Sequence, residues 1–189
     1  MLAHKGTKPI NTERLTLRRF ALGDAEAMFK HWANDPEVTR FLTWKPHGDI
    51  GVSKGVVEQW VSEYKTNSVY NWAIELKELK EPIGGISVVN LDEANLCCEI
   101  GYCISQAYWR KGITAEALKA VIDFLFSEVG MNRIIARHDT NNPNSGRVMQ
   151  KSGMLYEGTH RQENLRDGKT FCDMAVYAIL KEDWQPIAY

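Results

Sequence analysis

The stretch Tyr108-Trp109-Arg110-Lys111-Gly112-Ile113-Thr114-Ala115-Glu116-Ala117 decides how the rest of the chain is read. Two adjacent cations and a glycine form a turn that runs straight into an amphipathic helical pattern. Ile113, Ala117, Val121, Phe124 and Leu125 lie on one side of it. Glu116, Lys119 and Asp123 lie on the other, at the spacing of helical ion pairs. The first amides of a helix have no intrahelical acceptor, and the aligned peptide dipoles make that end positive. Arg110 and Lys111 add full charge, and Gly112 lets a ligand come close to the backbone. A polyphosphate needs this combination, so the turn is expected to hold a phosphorylated cofactor.

Upstream of the turn, residues 95–104 alternate Leu96, Cys98, Ile100, Tyr102 and Ile104, with Glu99 between them, which is the period of a strand. Residues 70–76 and 82–91 read as two more strands. Leu79-Lys80-Glu81-Pro82 and Asn90-Leu91-Asp92-Glu93 serve as hairpin turns, so antiparallel pairing is expected. Nearer the start, residues 12–20 alternate as a strand whose arginines suggest an edge or a ligand-facing side. Asp24 is expected to cap a helix through His31, and residues 53–64 form a second helix. Residues 36–48 read as a loop or short helix, and residues 1–9 as a loose leader.

Downstream, Gly130 ends the long helix as a C-cap would, and residues 133–138 form a strand. Asn141-Asn142-Pro143-Asn144-Ser145 breaks the chain and starts a short helix through Lys151, which Gly153 ends. Residues 154–161 and 171–179 are the last two strands, joined by a polar connection with Arg166-Asp167-Gly168-Lys169 as its turn. The order predicts an α/β (α+β) fold in which a mixed, mostly antiparallel, seven-stranded sheet carries helices on both faces. Residues 10–189 are expected to form one domain.

The chain has 189 residues, a formal net charge of -1 and 44% hydrophobic residues, which suits one domain with a substantial core. Near-neutral charge argues against a general nucleic-acid binder. No apolar run approaches a membrane span and the N-terminus lacks a secretory pattern, so a cytoplasmic location is expected. Cys97, Cys98, Cys103 and Cys172 form no C-x-x-C pair and read as small buried hydrophobes. His31, His138 and His160 pair with no Cys or Asp at nucleophile or metal spacing, so neither a triad nor a metal site is assigned.

Three motifs together resemble the GCN5-related N-acetyltransferase (GNAT) superfamily, and within it the ribosomal-protein-alanine N-acetyltransferase branch. The first is Glu99-Ile100-Gly101-Tyr102 followed by the Tyr108–Ala117 stretch. The second is Asn142-Pro143-Asn144-Ser145 leading into Val148-Met149-Gln150-Lys151-Ser152-Gly153-Met154. The third is Tyr156-Glu157-Gly158-Thr159 with Arg161. The resemblance covers nearly the whole chain. It implies a GNAT-type domain that uses acetyl-CoA, with the pyrophosphate on the backbone of Arg110, Lys111, Gly112, Ile113 and Thr114. The pantetheine arm would lie along Tyr102, Cys103 and Ile104 like an added strand. Trp109 and Thr114 depart from the family's common Q/R-x-x-G-x-G/A pattern.

Acetyl transfer from a thioester to an amine asks for a neutral amine, a stabilised oxyanion and a protonated leaving thiolate. A free α-amine has a pKa of ~8, so about a tenth is neutral at pH 7, whereas a lysine amine at ~10.4 is neutral well under a thousandth of the time. An N-terminal acceptor therefore needs little help from a base. Glu99 is the candidate base, directly or through water, or else a salt-bridged strand glutamate. Glu157 and Asp173 stand behind it. The resemblance assigns Ser145 to protonate the CoA sulfur, unless its hydroxyl is spent as a helix N-cap. It assigns Asn142 to position the pantetheine or its loop. Tyr102 and Tyr177 read as packing aromatics, and Phe41, Trp44 and His47, on the 36–48 segment, as ordinary packing residues or else a wall for the acceptor. The acceptor is a peptide or protein N-terminus, including a ribosomal protein, or a small amine such as a polyamine or an antibiotic. A non-catalytic acyl-CoA sensor on the same fold is the alternative. The sequence leaves the oligomeric state open, a dimer included.

Overall fold

The structure is a computed structural model that describes residues 1–166 and 168–186. Asp167, in the expected turn at 166–169, lies outside the described residues. The strands are β1 (Ile10–Asn11), β2 (Leu15–Arg18), β3 (Asn71–Leu76), β4 (Glu81–Asp92), β5 (Cys97–Ile104), β6 (Arg133–Asp139), β7 (Leu155–Arg166) and β8 (Thr170–Leu180). The helices are α1 (Ala25–Met28, continued by a wide turn Phe29–Ala33), α2 (Pro36–Thr39), α3 (Ile50–Glu63), α4 (Ile113–Phe124, continued by a wide turn Leu125–Val129) and α5 (Pro143–Lys151).

One sheet holds the described strands in the order β1-β2-β3-β4-β5-β6-β8-β7. Its neighbours are antiparallel except for β5 and β6. The sheet has eight strands, one more than the pattern predicted. The added one is the two-residue β1, which pairs Ile10 with Leu17 and Asn11 with Thr16. It is too short to show any alternation. Residues 1–9 are tied to the domain rather than loose. The Ala3 amide donates to the Val129 carbonyl, the Thr7 hydroxyl to the Val69 carbonyl, and the Trp72 indole to the Lys8 carbonyl. That last bond lets a fully buried tryptophan satisfy its N–H.

Adjacent strand residues point to opposite faces, and the core divides accordingly. Trp72 and Ile74 join the cluster under α4, with Phe124 edge-on to Trp72 at 5.7 Å. Ala73 joins Phe20, Met28, Trp32 and Val57 under α1 and α3. The arginines of the first strand are structural. Arg18 bridges Asp24 and Glu75, with its Nη1 2.7 Å from Asp24 Oδ2 and its Nε 2.6 Å from Glu75 Oε2. Asp24 caps no helix with its side chain. It accepts instead from the Ala21 amide and from Arg18.

Both hairpin turns of the central strands fall later or earlier than expected. The strand β4 begins at Glu81, because Pro82 is tolerated at a strand start, and the turn before it closes with Lys80 at φ 55. The turn after it closes at Leu96, φ 50. The last two strands also run longer, so residues 162–166 continue β7 past a bulge between His160 and Asn164. As expected, Gly130 closes the long helix in a left-handed conformation, φ 86.

Gly84 lets the backbone of β5 come close to β4. A Cβ there would lie 2.4 Å from the Cys103 carbonyl oxygen and 2.9 Å from the Ile104 Cα. Gly84→Ala should therefore lower unfolding free energy by ~1–3 kcal/mol or more, since the obstacle is backbone. Gly55, inside α3, has nothing within 4 Å of its Cβ position, and Gly55→Ala should be neutral or stabilising. Urea unfolding of the two variants beside the parent checks both signs, and an unaffected Gly84→Ala midpoint contradicts the packing described.

Candidate active site

The parallel pair β5–β6 is short. It joins Cys97 to Arg133, Cys98 to Ile134 and Glu99 to Ile135, and then the strands part. On its other side β5 stays paired to β4 as far as Ile104. The register of β4 slips between Val88 and Asn90, opposite Ile100 and Glu99. That bulge sharpens the twist at the point where β5 leaves β6. Residues 100–104 thus have an edge that no described strand covers. Backbone groups on such an edge need partners and readily take an extended chain.

The helix α4 begins beside this edge. Its N-cap is Gly112, φ 77, and no described side chain caps it, so its first amides are open to a ligand. Arg110 is also left-handed, φ 61. That conformation costs a non-glycine residue about 1–2 kcal/mol, which the surrounding contacts must offset. Backbone of this kind gathers successive N–H groups into an anion-binding hollow. Three contacts fix the turn. The Trp109 indole donates to the Ile104 carbonyl at 3.0 Å, Lys111 Nζ lies 5.2 Å from the centre of the Tyr108 ring, and Arg14 Nη1 donates to the Lys111 carbonyl at 2.9 Å.

Arg14 was not singled out in the sequence, and its partner corrects an expectation. Glu116 pairs with Arg14 across the fold rather than along its own helix. Glu116 Oε1 accepts from the Thr12 hydroxyl at 2.5 Å and the Arg14 amide at 3.0 Å, and Oε2 from Arg14 Nε at 2.7 Å. Burial alone would raise the Glu116 carboxyl, but these bonds outweigh it and hold it below the usual range. A carboxylate one turn into α4 is thereby neutralised beside the anion hollow.

A cleft of about 580 Å³ lies between the end of β5, the turn before α4, the start of α5 and the segment around α2. Tyr102, Cys103, Ile104, Arg110, Gly112, Thr114, Asn142 and Ser145 line it. Ile113 is turned into the core, and Lys111 borders the cleft through its turn without lining it. Burial pushes the Cys103 thiol up to about 12. Asn142 is the N-cap of α5, and no side chain bonds that cap, so the Ser145 hydroxyl is not spent there. It lies 3.0 Å from the hydroxyl of Tyr102, which also donates to the Ser145 carbonyl at 3.1 Å. Tyr102 is therefore more than a packing aromatic. Tyr177 does pack, with ring centres 5.6 Å from His138 and 5.4 Å from Tyr156.

Glu99 does not line the cleft. It sits on the neighbouring face, 3.2 Å from Arg137 Nη2, and Arg137 Nη1 reaches Glu163 at 2.8 Å. Burial raises the Glu99 carboxyl, Arg137 lowers it and Glu163 raises it, and the net direction is up. The two reserve acids are structural: Glu157 pairs with Arg133, and Asp173 accepts from the Gln162 amide at 2.8 Å, pinning the β7 bulge.

A second hollow of about 790 Å³ lies between the 36–46 segment and the β7–β8 hairpin. It shares Glu37, Arg40, Phe41 and Leu42 with the cleft. Phe41 and Trp44 line it, whereas His47 is turned to Ser53 at 2.8 Å. Arg166 lies over the Phe41 ring at 5.2 Å and pairs with Asp139, a join between distant segments that local sequence patterns do not mark. Among the described residues no group of His, Cys, Asp and Glu is arranged to hold a metal ion, and no helix is long and apolar enough to cross a membrane.

The Arg14 bond to the Lys111 carbonyl makes a direct prediction. A hydrogen bond to a charged group is worth ~1.5–3 kcal/mol, so Arg14→Ala should weaken binding of inorganic pyrophosphate, used as a probe of the hollow, about tenfold or more. Isothermal titration measures it, and an affinity equal to the parent's contradicts the strut.

Residues 14–155 match the acetyltransferase (GNAT) domain family. The chain is 34% identical over 172 residues to the uncharacterized N-acetyltransferase YoaA of Bacillus subtilis (strain 168), covering 91% of this chain and 96% of that protein. It is 27% identical over 187 residues to the ribosomal protein uS5-alanine N-acetyltransferase of Escherichia coli (strain K12), covering 94% and 93%. The crystal structure of a GNAT-family acetyltransferase from Bacillus anthracis superposes with a TM-score of 0.80 at 28% identity, over 93% of this chain and 99% of that one. The matched span includes the open edge of β5, the turn before α4 and the start of α5. The chain belongs to the GNAT acetyltransferase family and is an N-acetyltransferase.

Proposed function

We propose that this protein transfers the acetyl group of acetyl-CoA to a primary amine, the α-amine at a peptide or protein N-terminus. The observation that carries this reading is the cleft along the open end of β5, with the uncapped start of α4 at one end and Ser145 in its wall. The E. coli relative is named for alanine of ribosomal protein uS5, which makes ribosomal protein N-termini the first acceptors to try.

Acetyl-CoA supplies a thioester, whose carbonyl carbon is open to attack by an amine. The chain's own residues do the rest. The backbone of Arg110, Lys111, Gly112, Ile113 and Thr114 holds the pyrophosphate, aided by the dipole of α4. The open edge of Tyr102, Cys103 and Ile104 bonds the pantetheine amides, and Asn142 borders its path. Fixing the thioester in this way replaces a bimolecular encounter by a positioned one. The acceptor enters from the hollow lined by Phe41 and Trp44. Glu99, through water, takes the proton that the amine loses. Ser145 donates a hydrogen bond to the departing sulfur.

Mixing the protein with acetyl-CoA and a panel of amines tests the reading by release of free thiol. Release should depend on the amine, with N-terminal peptides exceeding Nα-blocked lysine peptides at pH 7, because far more of an α-amine is neutral there. Binding without amine-dependent release would indicate a sensor and contradict the proposal. A second test uses the pH profile. If deprotonated Glu99 is the base, the acid limb of the rate is shifted upward from the ordinary glutamate position, since burial raises that group. Arg137 lowers the Glu99 carboxyl, so Arg137→Met should move the limb to higher pH. A limb that stays in place removes Glu99 from the base role.

A further inference from the structure

We propose that the Tyr102 hydroxyl is a positioning group for acetyl transfer, orienting the Ser145 hydroxyl so that its proton faces the departing sulfur. The inference rests on the acetyl-transfer function proposed above and adds a residue to its leaving-group chemistry. Tyr102 comes from the open arm of β5 and Ser145 from the first turn of α5, so their contact crosses the cleft wall. Among the described residues the hydroxyl of Tyr102 bonds to Ser145 alone, at 3.0 Å to Oγ and 3.1 Å to the carbonyl. Ser145 Oγ in turn has Tyr102 as its side-chain partner, because α5 has no side-chain cap.

A serine hydroxyl carries one proton and rotates freely unless something fixes it. Tyr102 supplies the fixing bond. Its phenol is buried and pushed well above its ordinary pKa, so it keeps its proton throughout. The one phenol proton is shared in a three-centre bond between Ser145 Oγ at 3.0 Å and the Ser145 carbonyl at 3.1 Å, so both act as its acceptors. Ser145 then accepts from Tyr102, and its own proton points away from that bond, into the cleft that both residues line. In the transfer step the amine nitrogen bonds to the carbonyl carbon, and the carbon–sulfur bond breaks with its electron pair moving to sulfur. Ser145 donates a hydrogen bond to that sulfur. The proton released by the amine passes through water to Glu99, the sulfur leaves as a thiolate held by the Ser145 hydrogen bond, and Tyr102 loses no proton.

Tyr102→Phe keeps the ring and removes the hydroxyl. With a panel acceptor, its kcat should fall about tenfold or more, in line with the loss of one oriented hydrogen bond to a developing charge, while KM for acetyl-CoA holds level. Ser145→Ala should fall at least as far, and the double variant no further than Ser145→Ala, because the two groups act as one unit. A packing role for Tyr102 predicts additive losses instead. A readout that needs no acetyl transfer is the thiol of bound CoA, titrated by its thiolate absorbance. The parent should lower that thiol's pKa relative to free CoA, Ser145→Ala should abolish the lowering, and Tyr102→Phe should reverse most of it. If transfer is absent yet the thiol titrates in this pattern, the proposed reaction fails and the Tyr102–Ser145 pair stands. If Tyr102→Phe matches the parent in both kcat and thiol titration, or if the two losses add, the pair is overturned.

Discussion

The site depends on one constraint, the obligation of strand backbone to find hydrogen-bond partners. The parallel pairing of β5 with β6 ends after Glu99, yet β5 continues to Ile104 on the support of β4 alone. A bulge in β4 at Val89 bends the pair at that point, and Gly84 allows the close approach that keeps the far end of β5 in place. A sheet edge opened inside a fold, rather than at its rim, is shielded from other proteins and available to a narrow extended ligand. The helix that crosses from β5 to β6 has to begin next to the opening. Its free amides therefore lie beside the strand's free edge, so two kinds of unsatisfied backbone meet at one cleft.

Charges around the cleft follow the same economy. Exposed ion pairs contribute little to stability, commonly 0–1 kcal/mol, so the arginine contacts here matter more for geometry than for fold. Arg14, with 42% of its side chain exposed, takes the Glu116 carboxylate away from the anion hollow and holds the Lys111 carbonyl back from it. On the other face Arg137 stands between Glu99 and Glu163 and offsets part of the burial that raises Glu99. Arg166 joins Phe41 to Asp139, linking the 36–46 segment to the β7–β8 hairpin over the second hollow.

Much of this was legible in local chemistry. Period-two alternation located β5, and the cation–cation–glycine turn located the start of α4, because both signals lie within about ten residues of one another. The Asn142–Ser145 break before α5 was legible for the same reason. What could not be read were joins between distant segments. Arg14 and Glu116 are 102 residues apart, and on the helix alone Glu116 had an equally good partner in Lys119. The aromatic of Tyr102 announced packing, while its hydroxyl found Ser145 43 residues further on. Ser145 looked like a cap because serine so often is one, yet Asn142 took that place. Short strand β1 and the anchoring of residues 1–9 rest on backbone bonds, which carry no side-chain pattern.

In the proposed function a phosphorylated thioester lies along the open edge of β5 with its phosphates on the turn before α4. Amide hydrogen exchange with and without acetyl-CoA tests this most directly, since it reads the backbone groups themselves. Protection should rise together at residues 100–104 and 110–114 and be small in β1, β2 and α3. Acetyl-CoA binding that leaves both segments unchanged, or that protects the second hollow instead, would contradict it.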